Sequence, residues 1–387
     1  MLKIQELEFG FNDAENYKRS ENKSFLNKVF FRTEELDKLC ERNTFFLIGE
    51  KGTGKTAYAT YLSNNDYKDT LSALNYIRET DYQKFVQMKN KEHLALSDYI
   101  DIWKVIIYLL LSNNITKYEP NSLLYPKAFR FRNINAAIDE YYAKAFSPEI
   151  INAIKFVEKS KLAAEIISKY AKASGEQSEE IAFSESLFQI NLMYVQKNFE
   201  EAFASLKLQK SHVLFIDGID IRPSHIEYND YLDCVKGLAN AVWAINNDIF
   251  PNIKDSRGRL KVVLLVRPDI FDSIELQNRN NKIRDNSVLL SWNTTYKNYR
   301  NSKLFEMAGR LLGAQQNPSV EYDKAWDYYF PYMIANKSAN ISPKIKTNQT
   351  YQVHYGLMEA LNLGKKYTSL KTRFQQAFNK KQKLENE

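Results

Sequence analysis

The chain has 387 residues, 44% hydrophobic and 26% charged, with a formal net charge of +7. This length allows two or three domains or one enlarged one, and the composition supports a packed core in an ordinary soluble protein. No stretch is long and apolar enough to cross a bilayer (the best, residues 105–111, is far too short), and residues 1–6 lack the apolar region of a signal peptide. A membrane partner is therefore not expected, and the expected location is cytoplasmic. The two cysteines, Cys40 and Cys234, lie far apart and read as buried, reduced thiols.

In chain order, residues 1–30 are polar with few periodic signals and are expected to wrap a domain edge. Thr33, Glu34 and Glu35 read as a capped helix start with acids in the first turn. Leu36, Leu39 and Cys40 give that helix an apolar stripe, and it is expected to end near Asn43. An apolar strand over residues 44–48 then runs into Gly49-Glu50-Lys51-Gly52-Thr53-Gly54-Lys55-Thr56, which fits the phosphate-binding pattern G-x-x-x-x-G-K-[ST]. The glycines let successive backbone N–H groups turn toward phosphate oxygens. Lys55 brings a mobile point charge to the terminal phosphates. Thr56 offers a hydroxyl to Mg²⁺, and the helix that begins with Lys55, Thr56 and Ala57 adds its positive dipole end.

Asn64-Asn65-Asp66 marks a turn, and a second strand is expected within residues 70–77. Ser97-Asp98 opens a strongly apolar helix through Ile102, Trp103, Ile106 and Leu110. About a hundred residues separate it from the next clear strand, far more than a crossover needs. Two helices are expected there, one from Ser147-Pro148-Glu149 toward Gly175 and one over residues 184–206. Short continuous apolar runs return at 213–216, 262–266 and 287–290 and read as strands covered on both faces, hence a parallel sheet. Beyond Trp292 the sequence reads as helix over 304–312, 322–334 and 355–363, followed by a tail. In that tail, residues 365–387, seven basic residues stand against two acidic ones.

The strand Leu214-Phe215-Ile216 ends in Asp217, a carboxylate placed to hold Mg²⁺ at the mouth of a phosphate-loop sheet. Asp220, three residues on, can orient a water at the terminal phosphate, or serve as a turn or cap residue. Arg267 follows the next strand, where it can read a γ-phosphate through charge-assisted hydrogen bonds or pair with Asp269 or Asp272. His93, His212 and His225 show no metal-ligand spacing and read as structural.

Together these motifs resemble the STAND class of P-loop ATPases, relatives of AAA+ proteins, and particularly its NACHT-like members. Phe31-Arg32-Thr33-Glu34-Glu35-Leu36 is similar to the G-R-E-x-E-L segment of that class, and Phe215-Ile216-Asp217-Gly218-Ile219-Asp220 to its D-G-x-D motif. Leu265-Val266-Arg267-Pro268 is similar to its sensor strand. A looser similarity is to bacterial P-loop ATPases found near phage-defence genes. The resemblance covers residues 30–62 and 211–292 and implies that Arg32 lies near the nucleotide. Phe31 stands where the class carries Gly, and Ile221 where many members carry Glu. The winged helix that usually follows is not recognisable in 293–387, and His354 matches its His by position only.

The expectation is thus an α/β protein built on a five-stranded, mostly parallel, doubly wound P-loop NTPase sheet. Its parts are an edge segment (1–30), the two halves of the core (31–113 and 207–292), a helical insertion (114–206) and a helical C-terminal region (293–387). The expected ligands are ATP and Mg²⁺. Lys55, Asp217, Asp220 and Arg267 would act catalytically, Arg32 and residues 49–57 would bind nucleotide, and Thr56 and Asp217 would hold the metal. The expected activity is slow ATP hydrolysis by a switch that associates with itself or signals to a separate effector protein, in the setting of bacterial antiviral defence. Two alternatives stay open. One is a DNA-associated AAA+-like motor or initiator using the tail 365–387, and the other a scaffold in which nucleotide is structural.

Overall fold

The computed structural model describes residues 1–11, 13–77, 96–120, 126–144, 185–220, 222, 224, 226–274, 276–292 and 300–330. Five strands form one sheet in the order β2-β3-β4-β1-β5. They are β1 (Phe46–Gly49), β2 (Thr70–Tyr76), β3 (Ser211–Asp217), β4 (Leu260–Val266) and β5 (Ser287–Leu290). All pairings are parallel, so the expected "mostly parallel" sheet is wholly so. β1 pairs with β4 (Ile48 opposite Val266), β4 with β3 (Leu264 opposite Ile216) and β3 with β2 (Asp217 opposite Tyr76). β5 runs alongside β1, as the Phe45 N–H bond to the Asn286 carbonyl at 2.8 Å indicates at its start. The composition of the strands explains the arrangement. Every residue of β4, and all of β3 after Ser211, is buried, as befits strands covered on both faces. Each fully buried Val, Leu, Ile or Phe among them contributes roughly 1.5–3 kcal/mol.

The chain divides into two compact units. One comprises residues 37–48 and 65–288, the other 1–36, 49–64 and 289–387. In the larger unit, α4 (Leu96–Tyr118) packs on α7 (Glu185–Ala204) and α8 (Tyr228–Ala244). Most of the apolar face expected of α4 is buried, Ile100 only in part. Ile102, Trp103, Ile106 and Leu110 are buried, and the Trp103 indole N–H donates to the Cys234 carbonyl at 3.2 Å. Val195, Phe199 and Phe203 of α7 are buried against this core. Two short helices, α5 (Lys127–Arg130) and α6 (Arg132–Lys144), complete the described part of the insertion. α8 continues into one π-turn, Ile245–Ile249. There the buried Asn246 donates to the Val242 and Val262 carbonyls and accepts the Val262 N–H, so the helix end is tied to β4. After β4 come α9 (Pro268–Ser273) and α10 (Arg279–Asn286).

At the other end of the sheet from Asp217 sits a buried charged cluster. Glu119 accepts from the Arg130 guanidinium at 2.5 Å and bonds to the His212 ring at 2.7 Å, all three side chains being nearly solvent-free. Burial alone would raise the Glu119 pKa, but the bonds from His212, the Gln209 N–H and Arg130 together hold its carboxyl below the usual carboxylate range. His212 is thus structural, as its spacing suggested. His93, His225 and His354 fall outside the described residues.

The smaller unit contains α1 (Ser20–Val29), α3 (Lys55–Asn64), α11 (Lys303–Gly313) and α12 (Tyr322–Tyr329). Leu7 joins Leu304, Phe305, Leu312 and Trp326 in its core. The first residues are anchored rather than loose, since Leu2 N–H donates to Gln316 and the Tyr329 hydroxyl donates to the Leu2 carbonyl, both at 2.7 Å. α1 was not expected, because it buries only Leu26 and so carries no periodic apolar stripe.

Two expectations need correction. The helix at Thr33 is short, α2 spanning only Glu34–Lys38, and Leu39 and Cys40 lie in the turn that follows. The physical reason is Lys261. Its buried ammonium takes the carbonyls of Leu39 and Glu41 and diverts the chain from helical pairing. Cys40 is only half-buried, not buried as expected, whereas Cys234 is fully buried, and neither forms a disulfide among the described residues. The helices expected at 147–175 and 355–363 and the tail 365–387 lie outside the described residues.

Candidate functional site

The loop 50–54 leaves β1 at Gly49 and enters α3 at Lys55. Gly52 (φ 86°) and Gly54 (φ 93°) adopt left-handed backbone that other residues avoid, which bends the loop on itself. The Thr53 N–H and hydroxyl both bond to the Glu50 carbonyl, at 3.2 and 2.9 Å. Lys55 is 6% exposed, and its ammonium folds back to donate to the Gly49 carbonyl at 2.7 Å, with the Glu50 carbonyl at 3.5 Å. The loop therefore curls around a buried positive charge at the start of a ten-residue helix. Thr56 and Ala57 stand in the first turn of that helix, while Glu50 and Lys51 face solvent. Trp292 fastens the loop from outside, its indole N–H donating to the Thr53 carbonyl at 2.7 Å.

The segment that carries Arg32 packs along α3 in the same unit. The Thr33 and Tyr58 hydroxyls are 2.6 Å apart, Phe30 stacks on Tyr61 at 4.1 Å, and the Arg32 guanidinium lies over the Tyr61 ring at 5.6 Å. Burial pushes the Tyr58 hydroxyl up to about 12, so it stays protonated as a hydrogen-bonding partner. A cavity of about 550 Å³ in this unit is lined by Phe30, Arg310 and Tyr322 among others, and by none of residues 49–57.

In the larger unit, β1, β3 and β4 end at one edge of the sheet, as the register requires. Asp217, 6% exposed, closes β3, and its carboxylate accepts the Gly218 N–H at 2.7 Å. Gly218 (φ 95°) is required by close approach, since a Cβ there would stand 2.2 Å from the Ile77 carbonyl oxygen. The Ile77 N–H in turn donates to the Asp217 carbonyl at 2.8 Å. Asp220 accepts the Arg267 main-chain N–H at 3.1 Å, so the end of β3 is pinned to the end of β4 at the start of α9. The Arg267 guanidinium reaches Asp269, and its Nε is buried with no hydrogen-bond partner among the described residues.

Of the residues expected at a site, Asp217, Asp220 and Arg267 thus meet at one edge of the larger unit. Lys55, Thr56 and the loop glycines lie together in the smaller one, at the start of α3. Arg32 lies beside α3, on Tyr61. Arg267 makes the ion pair to Asp269 weighed for it, and Asp220, in place of the turn or cap role weighed for it, accepts a main-chain N–H from the end of β4. Trp292 and Tyr58 support these groups and were not singled out from sequence, whereas Gly218 was read there only as part of the D-G-x-D resemblance. Neither Trp292 nor Tyr58 carries a local sequence signal for that role. Among the described residues, no three His, Cys, Asp or Glu side chains converge as a metal-binding group. Comparison of the chain with protein-family models, curated proteins and solved structures finds no match.

Proposed function

We propose that this chain is an ATP-binding molecular switch of the P-loop NTPase kind, akin to STAND-class ATPases, that hydrolyses its nucleotide slowly. The observation that carries this reading is the strand–loop–helix from Phe46 to Asn64, with two left-handed glycines and the buried Lys55 ammonium inside the loop. A buried ammonium that donates to the Gly49 carbonyl inside a glycine loop is poised to exchange that acceptor for phosphate oxygens, a stronger charge-assisted pairing. Mg²⁺ on a nucleotide needs only one or two protein ligands besides phosphate oxygens and water. The Thr56 hydroxyl and the Asp217 carboxylate supply ligands of that type. The metal's contribution is charge neutralisation at the phosphates.

In this reading Lys55 carries positive charge to the terminal phosphates, and Asp220 orients the attacking water. Arg267 exchanges Asp269 for the γ-phosphate, giving its guanidinium, buried Nε included, a better partner. Phosphoryl transfer needs positioning and charge rather than covalent chemistry, and these groups provide both. The output is self-association or engagement of a separate effector. Mass photometry with ADP, ATP and a slowly hydrolysed analogue tests it. A change of size set by the nucleotide supports a switch that self-associates, identical distributions in all three refute self-association, and an unchanged proteolysis pattern in all three refutes the switch itself.

A further inference from the structure

We infer that the insertion carries a binding surface for single-stranded nucleic acid at the junction of α4 and α5. Phe129 is 78% exposed, the highest exposure of any large hydrophobic side chain among the described residues, and Tyr118 is 49% exposed. Neither ring is left out by accident of a loose segment. The Arg130 guanidinium donates to the carbonyls of Pro120 (3.1 Å) and Lys207 (2.8 and 3.1 Å) besides Glu119, which fixes α5 against the end of α4 and the approach to β3. The Lys127 ammonium lies 3.4–3.5 Å from the Thr116 and Lys117 carbonyls and closes the same junction. A rigid frame therefore holds two aromatic rings out in solvent.

Among the described residues, the charged side chains of this junction are mostly cationic. Lys117 and Arg132 are exposed, Lys127 is half-exposed, and Lys207 stands on the adjoining strand approach with Asp255 at 3.4 Å as its one described acidic partner. The Lys117 ammonium lies 4.7 Å from the centre of the Tyr118 ring. Glu119 is buried and already paired with Arg130 and His212, and the exposed Asp255 offsets Lys207 alone, which leaves Lys117, Lys127 and Arg132 as the net positive charge. Exposed rings between cations match the recognition chemistry of unpaired bases, which stack on rings while their phosphates meet the charges. An acidic peptide would satisfy the cations and leave Phe129 in water, and a duplex would offer phosphates but no free base face. The surface lies at the amino-terminal edge of the sheet, beside His212, whereas Asp217 ends the same strand. It is independent of nucleotide binding and of the tail 365–387.

The test is fluorescence anisotropy with the full chain and labelled oligothymidylate, oligouridylate or a DNA duplex, at low and physiological salt. At least one single strand is expected to bind more tightly than the duplex, with the better of the two identifying DNA or RNA as the source. Phe129→Ala is expected to weaken binding about tenfold, in line with the loss of one stacked base. The exposed pair Lys117→Glu and Arg132→Glu, which disturbs no buried contact, is expected to flatten the log–log salt dependence by roughly 0.7 for each phosphate no longer neutralised. Chain truncated before Lys365 should show the same ratios. Absence of binding at low salt, equal affinity for duplex, or unchanged binding by both sets of variants overturns the inference. So does retention on anionic vesicles or by a polyglutamate peptide with no retention of oligonucleotide.

Discussion

Asp220 is the residue at which structure and chemistry are most easily separated. Its carboxylate accepts the Arg267 N–H at 3.1 Å and is half-buried. Asparagine leaves an acceptor oxygen in place. Because a charged acceptor contributes about 1.5–3 kcal/mol and a neutral one about 0.5–1.5, Asp220→Asn should cost on the order of 1 kcal/mol of stability. Alanine removes the acceptor and strands a main-chain N–H, so Asp220→Ala should cost about 1–3 kcal/mol, nearer the lower figure where solvent reaches it. Hydrolysis follows a different order. If Asp220 also orients the attacking water, both variants lack the ionised carboxylate, and single-turnover ATP cleavage should fall by roughly 10²-fold in each. ATP affinity should change little, because the interaction removed belongs to the transition state. Urea unfolding beside single-turnover kinetics reads both quantities. An Asn variant that cleaves ATP at the wild-type rate, with the Ala variant merely less stable, would reduce Asp220 to an anchor for Arg267.

Asp217→Ala should impair Mg²⁺-dependent ATP binding and turnover together, as titrations with and without the metal would reveal; intact Mg²⁺ dependence would remove it from the metal site. Arg267→Ala gives up only a partly exposed ion pair to Asp269, worth about 0–1 kcal/mol. It should bind ATP yet lose the nucleotide-dependent change in its proteolysis pattern, and a preserved change would discard the sensor role. The Glu119 cluster predicts an acid limit to the fold. Since the folded-state pKa of Glu119 is depressed below 4.5, its contribution is present above that pH and is lost as pH falls through the folded value. Urea unfolding as a function of pH should show this loss in wild type and not in Glu119→Gln, whereas parallel pH profiles would show that the carboxylate is not responsible.

Much of the sheet was legible because buried parallel strands carry near-continuous apolar runs. β3 and β4 could be read directly from Val213-Leu214-Phe215-Ile216 and Val262-Val263-Leu264-Leu265-Val266. The phosphate-loop pattern was legible for a related reason, since its glycines answer to local backbone geometry. Interactions made across long stretches of chain were not. The pairing of Glu119 with His212 joins residues 93 positions apart, and Lys261 shortens α2 from 220 positions away. Neither leaves a local trace. The Asp220 anchor was equally hidden, because a carboxylate near a strand end looks the same in sequence whether it meets a main-chain N–H or a water. α1 escaped notice because a helix that buries a single Leu needs no apolar stripe.

The central claim is that the loop around Lys55 takes the phosphates of ATP, and thermal unfolding with and without Mg·ATP tests it most directly. A ligand present at a hundred times its dissociation constant adds about 2.7 kcal/mol to the native state. Wild type should therefore unfold at a distinctly higher temperature with Mg·ATP. Lys55→Ala, compared with its own nucleotide-free baseline because it also lacks the bond to Gly49, should show a far smaller shift. Equal shifts in the two proteins would contradict the account.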